Sequence, residues 1–186
     1  MKRIFVLLSL VMAVALSGCV NGKKTAESDG ATNINQVAHN AGMEHTGSGE
    51  VPEGLKKAEK PAFPVGSQVI VKADHMPGMK GATATVVGAF DTTAYVVSYT
   101  PTTGGARVTN HKWIIQEEIK DAKENPYPQG ASITITADHM KGMKGAEGTV
   151  ESSEQTTVYM IDYTPTTGGD KVTNHKWVVE SELSAK

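Results

Sequence analysis

The chain has 186 residues, a formal charge of −2 and a single cysteine, Cys19. Setting aside Lys2 and Arg3 at the extreme N-terminus, 16 basic residues face 20 acidic ones. That balance excludes a general nucleic-acid binder, which needs a basic face toward phosphates, and the lone cysteine excludes a disulfide framework.

In chain order, Lys2 and Arg3 form a short basic region, and an apolar run follows from Ile4 to Leu16, interrupted by Ser9 alone. The run is shorter than the ~20 apolar residues a spanning helix needs. It fits the apolar region of a secretory signal peptide covering residues 1–18. The run ends in Leu16-Ser17-Gly18-Cys19, which resembles the lipobox of bacterial lipoproteins. The resemblance implies that the Cys19 thiol takes a diacylglyceryl group and becomes the mature N-terminus. Two acyl chains hold firmly where one is marginal, because each buried CH₂ contributes about 0.8 kcal/mol. Val20 is not the aspartate of an inner-membrane retention signal. The expected location is the extracytoplasmic side of the cell membrane, tethered by lipid. An acylated Cys19 is lost to disulfide, metal and nucleophilic chemistry.

Residues 19–62 read as a lipid-anchored, disordered tether. From Asn21 to Ser48 the chain is rich in Gly, Asn, Thr, Ser, Ala and Lys without helical or strand period, so it cannot bury enough apolar area to offset its ordering entropy. A single helical turn is expected over Pro52 to Ala58, stopped by Pro61 and Pro64.

The rest is an internal repeat. Ala-Asp-His-Met-Pro-Gly-Met-Lys-Gly-Ala from Ala73 returns as Ala-Asp-His-Met-Lys-Gly-Met-Lys-Gly-Ala from Ala137. Thr-Pro-Thr-Thr-Gly-Gly from Thr100 returns at Thr164, and Val-Thr-Asn-His-Lys-Trp from Val108 returns at Val172. The offset is constant and the match ungapped, so residues 63–120 and 127–184 are duplicated units. Each unit reads as β. Gln68 to Ala73 and Ser132 to Ala137 form a first strand, and Ala82 to Val87 and Ala146 to Val150 a second. Tyr95 to Tyr99 and Tyr159 to Tyr163 then alternate with the period of two of a half-buried strand. Pro101 and Pro165 open turns, and strands follow toward Trp113 and Trp177, with Ile114-Ile115 and Val178-Val179 as a last short strand or turn. Short strands at this spacing predict an all-β protein of two tandem small SH3-like β-barrel modules, since closure protects edges. Modules this small bury only about 60% of their unfolded surface, so side-by-side packing is expected.

The paired blocks resemble the YdhK family of bacterial lipoproteins over nearly all of the mature chain. The resemblance implies tandem repeats, a lipid anchor, a Firmicute-type cell surface and occasional association with copper-handling genes. It implies no catalytic residue.

Chemistry concentrates in the repeated loops. Of the six methionines outside the signal, Met76, Met79, Met140 and Met143 sit in the Asp-His-Met-x-Gly-Met loops beside His75 and His139; His111 and His175 precede the tryptophans. Thioether with imidazole and no thiolate suits Cu(I) rather than zinc. Asp74 and Asp138 are the expected partners that orient each imidazole. The same loops also read as hairpins in which Gly78, Gly81, Gly142 and Gly145 supply positive φ and methionine fills gaps over a small core. A third reading is adhesion to cell-wall polymer or an exported protein through exposed Tyr, Thr and Trp faces. Glu117, Glu118, Glu180 and Glu182 read as a solvated strand or turn. No catalytic motif stands out: no free cysteine, no nucleophile elbow and no phosphate loop. The expectation is a non-enzymatic binding protein.

Overall fold

A computed structural model describes residues 47–186. Cys19, the signal segment and the tether residues His39, Met43 and His45 lie outside the described residues.

Among the described residues eight strands share one antiparallel sheet: β1 (Lys56–Lys57), β2 (Gln68–Val71), β3 (Thr83–Tyr99), β4 (Val108–Ile115), β5 (Ser132–Thr134), β6 (Glu147–Tyr163), β7 (Val172–Val179) and β8 (Leu183–Ala185). Short 3₁₀ turns at Gln116–Glu118 and Glu180–Glu182 follow β4 and β7. The all-β expectation and the internal repeat are both observed. The finer expectation of two separate closed barrels is not. The sheet does not close, and the two repeats are woven into it together.

Two long strands do the weaving. The second and third strands expected in each repeat are one continuous strand of 17 residues, β3 in the first repeat and β6 in the second. Val-, Thr- and Tyr-rich sequence favours the extended form toward both ends of each. β3 and β6 pair with each other from Ala84↔Tyr163 to Tyr99↔Gly148, and Thr92 faces its own repeat equivalent, Thr156. The pseudo-twofold axis therefore passes through this pair. The register slips between Val86 and Gly88 and again between Val96 and Val97, which leaves Val87 and Glu151, equivalent residues, as the extra ones. Such bulges bend a strand and increase its twist, so each half of a long strand can wrap a different core.

The cores are consequently shared. One packs Val69, Val71, Met79, Ala84 and Val86 of the first repeat against Tyr159, Ile161, Tyr163, Val178 and Leu183 of the second. The other packs Tyr95, Val97, Tyr99, Ile114 and Ile119 of the first repeat against Ile133, Ile135, Met143 and Val150 of the second. A third cluster on the axis holds Trp113, Trp177, Phe90, Val158 and Met160. Edge pairing also crosses repeats: β2 pairs β8 through Val71↔Leu183, and Ile119 bridges Ile135 at the equivalent place. Ile114-Ile115 and Val178-Val179 end β4 and β7 and do not form strands of their own.

The C-terminal part of the expected tether is ordered on the sheet. Lys56 and Lys57 form β1 against Asp91 and Phe90 of β3, in place of the expected helical turn. Pro61 and Pro64 leave this stretch few amides for a helix, and the Phe63 ring packs edge-on against Tyr159 at 5.7 Å.

Candidate functional site

The Asp-His-Met-x-Gly-Met loop begins where β2 or β5 ends. Within it Met79 N–H donates to Met76 C=O at 3.1 Å, and Met143 N–H to Met140 C=O at 3.0 Å. This tight turn splits the expected methionine pair. Met79 and Met143 point inward and are fully buried in the two cores. Met76 and Met140 remain half-buried at the rim.

The Thr-Pro-Thr-Thr-Gly-Gly turn of one repeat clasps the His-Met loop of the other. Thr166 N–H donates to Gly78 C=O, and Thr102 N–H to Gly142 C=O, at 2.8 and 2.9 Å. A Cβ on Gly142 would lie 2.5 Å from Thr103 Oγ1, and one on Gly78 would lie 2.9 Å from Pro165 Cβ. Both glycines also have φ near +80°, at 74° and 80°. Close approach and a left-handed backbone together leave room only for glycine.

The loop histidines take partners that local sequence did not suggest. His75 Nε2 lies 2.7 Å from Glu182 Oε1, and His139 Nε2 lies 2.7 Å from Glu118 Oε1. The expected partners Asp74 and Asp138 are exposed. Each glutamate belongs to the other repeat and is tied down further. Glu118 Oε2 accepts from Trp177 Nε1 at 3.1 Å and Ile115 N–H at 3.1 Å. Glu182 Oε2 accepts from Trp113 Nε1 at 2.9 Å and Val179 N–H at 3.2 Å. These glutamates were expected in solvent; Glu118 is only 5% exposed. Burial alone pushes the Glu182 carboxyl up. The hydrogen bond and charge of His75, with the Trp113 and Val179 donors, outweigh burial and hold it below the ordinary range.

An ionised carboxylate only accepts, so an imidazole in its neutral form beside it carries its proton on Nε2 and keeps the Nδ1 lone pair on the side away from the glutamate. His75 Nδ1 and His139 Nδ1 are buried and have no hydrogen-bond partner among the described residues. Around His139 stand a second imidazole, His111, its ring centroid 6.5 Å away, and the Met140 thioether, which accepts from Tyr99 Oη at 3.8 Å. Tyr99 also meets the His111 ring edge-on at 5.9 Å, and Tyr163 meets His175 likewise at 5.8 Å. Burial raises the pKa of both tyrosines, which keeps these phenols protonated donors. Among the described residues no three His, Cys, Asp or Glu converge as a metal-binding group. A soft ion here would draw on thioether sulfur as well as imidazole.

The tryptophans and tyrosines of the adhesion reading face inward. Trp113 and Trp177 are buried, as are Tyr95, Tyr99, Tyr159 and Tyr163. The open concavity of about 600 Å³ lies instead on the pseudo-twofold axis, where Asp91, Thr92, Thr93, Gln155, Thr156 and Thr157 make a polar floor with Lys56 and Glu117 at its side. Sequence reasoning missed Glu118 and Glu182 as partners, yet a signal exists: the Trp-to-Glu spacing of Trp113–Glu118 recurs unchanged in Trp177–Glu182.

The features above define a duplicated all-β protein whose two sites are each assembled from both repeats. Its sequence matches the family model described as "Protein of unknown function (DUF1541)" twice, over residues 65–116 and 129–180. The chain belongs to this family. It is 56% identical over 180 residues to the uncharacterized protein YdhK of Bacillus subtilis (strain 168), covering 97% of this chain and 87% of that one. The fold is similar to the crystal structure of the same Bacillus subtilis protein, with a TM-score of 0.75 and 63% identity over 77% of this chain and 98% of the other. The C-terminal domain of that protein, solved in solution, gives a TM-score of 0.64 at 65% identity, covering 67% of this chain and 94% of that one.

Proposed function

We propose that this chain is a lipid-anchored protein on the extracytoplasmic side of the cell membrane, not an enzyme, that binds soft metal ions, Cu(I) above all, at its two His-Met loops. The observation that carries this reading is the pair of buried, unbonded Nδ1 atoms on His75 and His139, each imidazole oriented from behind by a glutamate. An orienting carboxylate behind a ligating imidazole is the usual second layer of a metal site. Met140 beside His139 and His111, and Met76 in the equivalent loop, add the soft donor that selects a cuprous ion. Met79 and Met143 support the loops from the cores. Each shared core is read as a small SH3-like unit completed by strand exchange between repeats. The anchor is Cys19, and no helix among the described residues is long and apolar enough to cross a membrane.

The test is an anaerobic Cu(I) titration of the soluble chain from Val20 to Lys186 against a competing chelator. Two ions are expected. Met76→Leu with Met140→Leu, checked for native circular dichroism, should weaken both sites by about ten-fold or more, at least the cost of losing a partner behind a ligand. Failure to compete with even a weak chelator overturns the proposal.

One observation favours a second reading. The polar concavity on the axis, with hydroxyls and carboxylates but no aromatic ring in its lining, suits a polyhydroxylated cell-wall polymer better than a metal. Pull-down by purified wall, lost on Asp91→Ala with Thr157→Ala and kept in the methionine variant, would favour that partner.

A further inference from the structure

The two repeats present equivalent edges on β4 and β7, and among the described residues a chain segment lies on β7 alone. On β7 the segment Gly47-Ser48-Gly49-Glu50 lies in place. Gly47 N–H donates to Thr173 C=O at 2.9 Å. Asn174 Nδ2 donates back to Gly47 C=O at 3.1 Å, and Lys176 Nζ donates to Glu50 C=O. The seat selects glycine. A Cβ on Gly47 would lie 2.6 Å from the Asn174 carbonyl oxygen, and one on Gly49, whose φ is +77°, would lie 3.2 Å from Asn174 Nδ2.

β4 offers the same groups. Thr109, Asn110 and Lys112 are equivalent to Thr173, Asn174 and Lys176. Asn110 and Asn174 share a φ of 52°, and each is pinned through its backbone N–H, to Ser98 Oγ at 3.3 Å or Asp162 Oδ1 at 2.8 Å. The side-chain amide therefore projects from the same left-handed corner in both repeats. Thr109, Asn110 and Lys112 are exposed, whereas Thr173, Asn174 and Lys176 are half-buried. Unpaired strand edges of this kind recruit extended peptide through main-chain bonds.

We propose that the β4 edge is a docking seat for an extended strand of another protein carrying Gly-X-Gly followed by an acidic residue. It would use Thr109 C=O, the Asn110 amide and Lys112 as β7 uses their equivalents. The acidic residue is carried over with the two glycines, as Glu50 follows Gly47 and Gly49 on β7, where Lys176 Nζ meets its backbone carbonyl. The occupant of β7 is the pattern for that strand, and the proposal is independent of metal binding.

The test uses the ¹⁵N-labelled chain from Val20 to Lys186 and a synthetic peptide, Gly-Ser-Gly-Glu-Val-Pro, copied from residues 47–52, which begin with the segment on β7. The expected result is saturable amide shifts at Thr109, Asn110 and Lys112. They should persist in Asn174→Gly and vanish with a peptide whose two glycines are alanine. Asn110→Asp, which keeps shape but removes the donor, and Asn110→Gly, which keeps the backbone free of strain, should each weaken binding by about ten-fold, the effect of one lost hydrogen bond that leaves a partner unmet. Shifts confined to β7, or none at millimolar peptide, overturn the proposal. A concentration-dependent dimer without peptide that Asn110→Asp abolishes also overturns it, because the seat would then belong to a second copy.

Discussion

The half of the molecule around His139 and the half around His75 descend from the same sequence, and they differ in where they meet solvent. Around His139, Glu118 is more deeply buried than its equivalent Glu182, with side-chain exposures of 6% and 14%, and Thr109, Asn110 and Lys112 of the neighbouring β4 are exposed. Around His75, Lys112 comes within 3.8 Å of Glu182, and the adjoining His175 strand carries the Gly47–Glu50 segment. What both halves retain is the trio of His, Glu and Trp drawn from two repeats, with a glycine clasped beneath a Thr-Pro turn. The groups held constant are those that join one repeat to the other. The groups that vary lie at the rim, where a change is cheap.

The largest break in this comparison is Glu118→Ala. It strands the Trp177 indole and Ile115 amide as buried donors, and removing one partner of a buried charged network costs about 3–5 kcal/mol. Glu182→Ala should cost less, because more water reaches it. Urea unfolding of the two variants checks the order, and equal losses would mean that burial is not what separates the halves. The two methionines of one loop should part almost as widely. Met79→Ala or Met143→Ala opens a sealed core and should cost about 2–5 kcal/mol. Met76→Ala or Met140→Ala, at the rim, should cost under about 1 kcal/mol in the same assay, as partly exposed positions do.

Next in size are the clasped glycines. Gly78→Ala and Gly142→Ala combine a left-handed backbone with a Cβ driven into the Thr-Pro turn. Gly81→Ala meets the same φ, +80°, with nothing within 4 Å. Backbone strain alone is worth about 1–2 kcal/mol; the clasped sites should exceed that and Gly81 should not, a difference that thermal melting resolves. Asn174→Gly should cost only about 0.5–1.5 kcal/mol, one hydrogen bond's share, while speeding amide exchange at Gly47; Asn110→Gly should leave that exchange unchanged.

The smallest effect is a pH signature. Glu182 has its folded pKa below the ordinary 4.5, so its contribution is complete above that value and is lost as pH falls through the lower, folded one. Stability measured from pH 6 downward should fall less steeply in Glu182→Gln than in the parent chain; an unchanged slope would remove Glu182 from the acid response.

Much of the local structure was legible in the residues. Alternation in Tyr95–Tyr99 marked a strand with its tyrosine face inward, and that face is buried; the half-buried expectation fails there, because Val96 and Ser98 on the other face are buried as well. The glycines of the His-Met loops marked positive φ, and all four have it. Less was legible between those blocks. Gly88 to Ala94 contains no strong period, so β3 read as two strands. It is one strand because β6 runs beside it and supplies hydrogen bonds along its whole length. Pro52 to Ala58 read as a helical turn for the same local reason, and pairing of Lys56 and Lys57 with β3 overrode it.

By itself the sequence determined the β class, the duplication, the turn chemistry and the residues on which a soft-metal reading rests. These follow from local rules of alternation, glycine freedom and donor type, which act within a few residues. Only the tertiary structure decided which repeat completes which core. It also decided that Glu118 and Glu182 rather than Asp74 and Asp138 stand behind the histidines, and that among the described residues a segment lies on β7 and none on its equivalent β4. The physical reason is a symmetry in the sequence itself. Similar repeats offer similar apolar faces within and between units, so no local pattern distinguishes a strand's own partner from its duplicate. The choice falls to the long β3–β6 pair, which satisfies its backbone hydrogen bonds only by joining the two repeats.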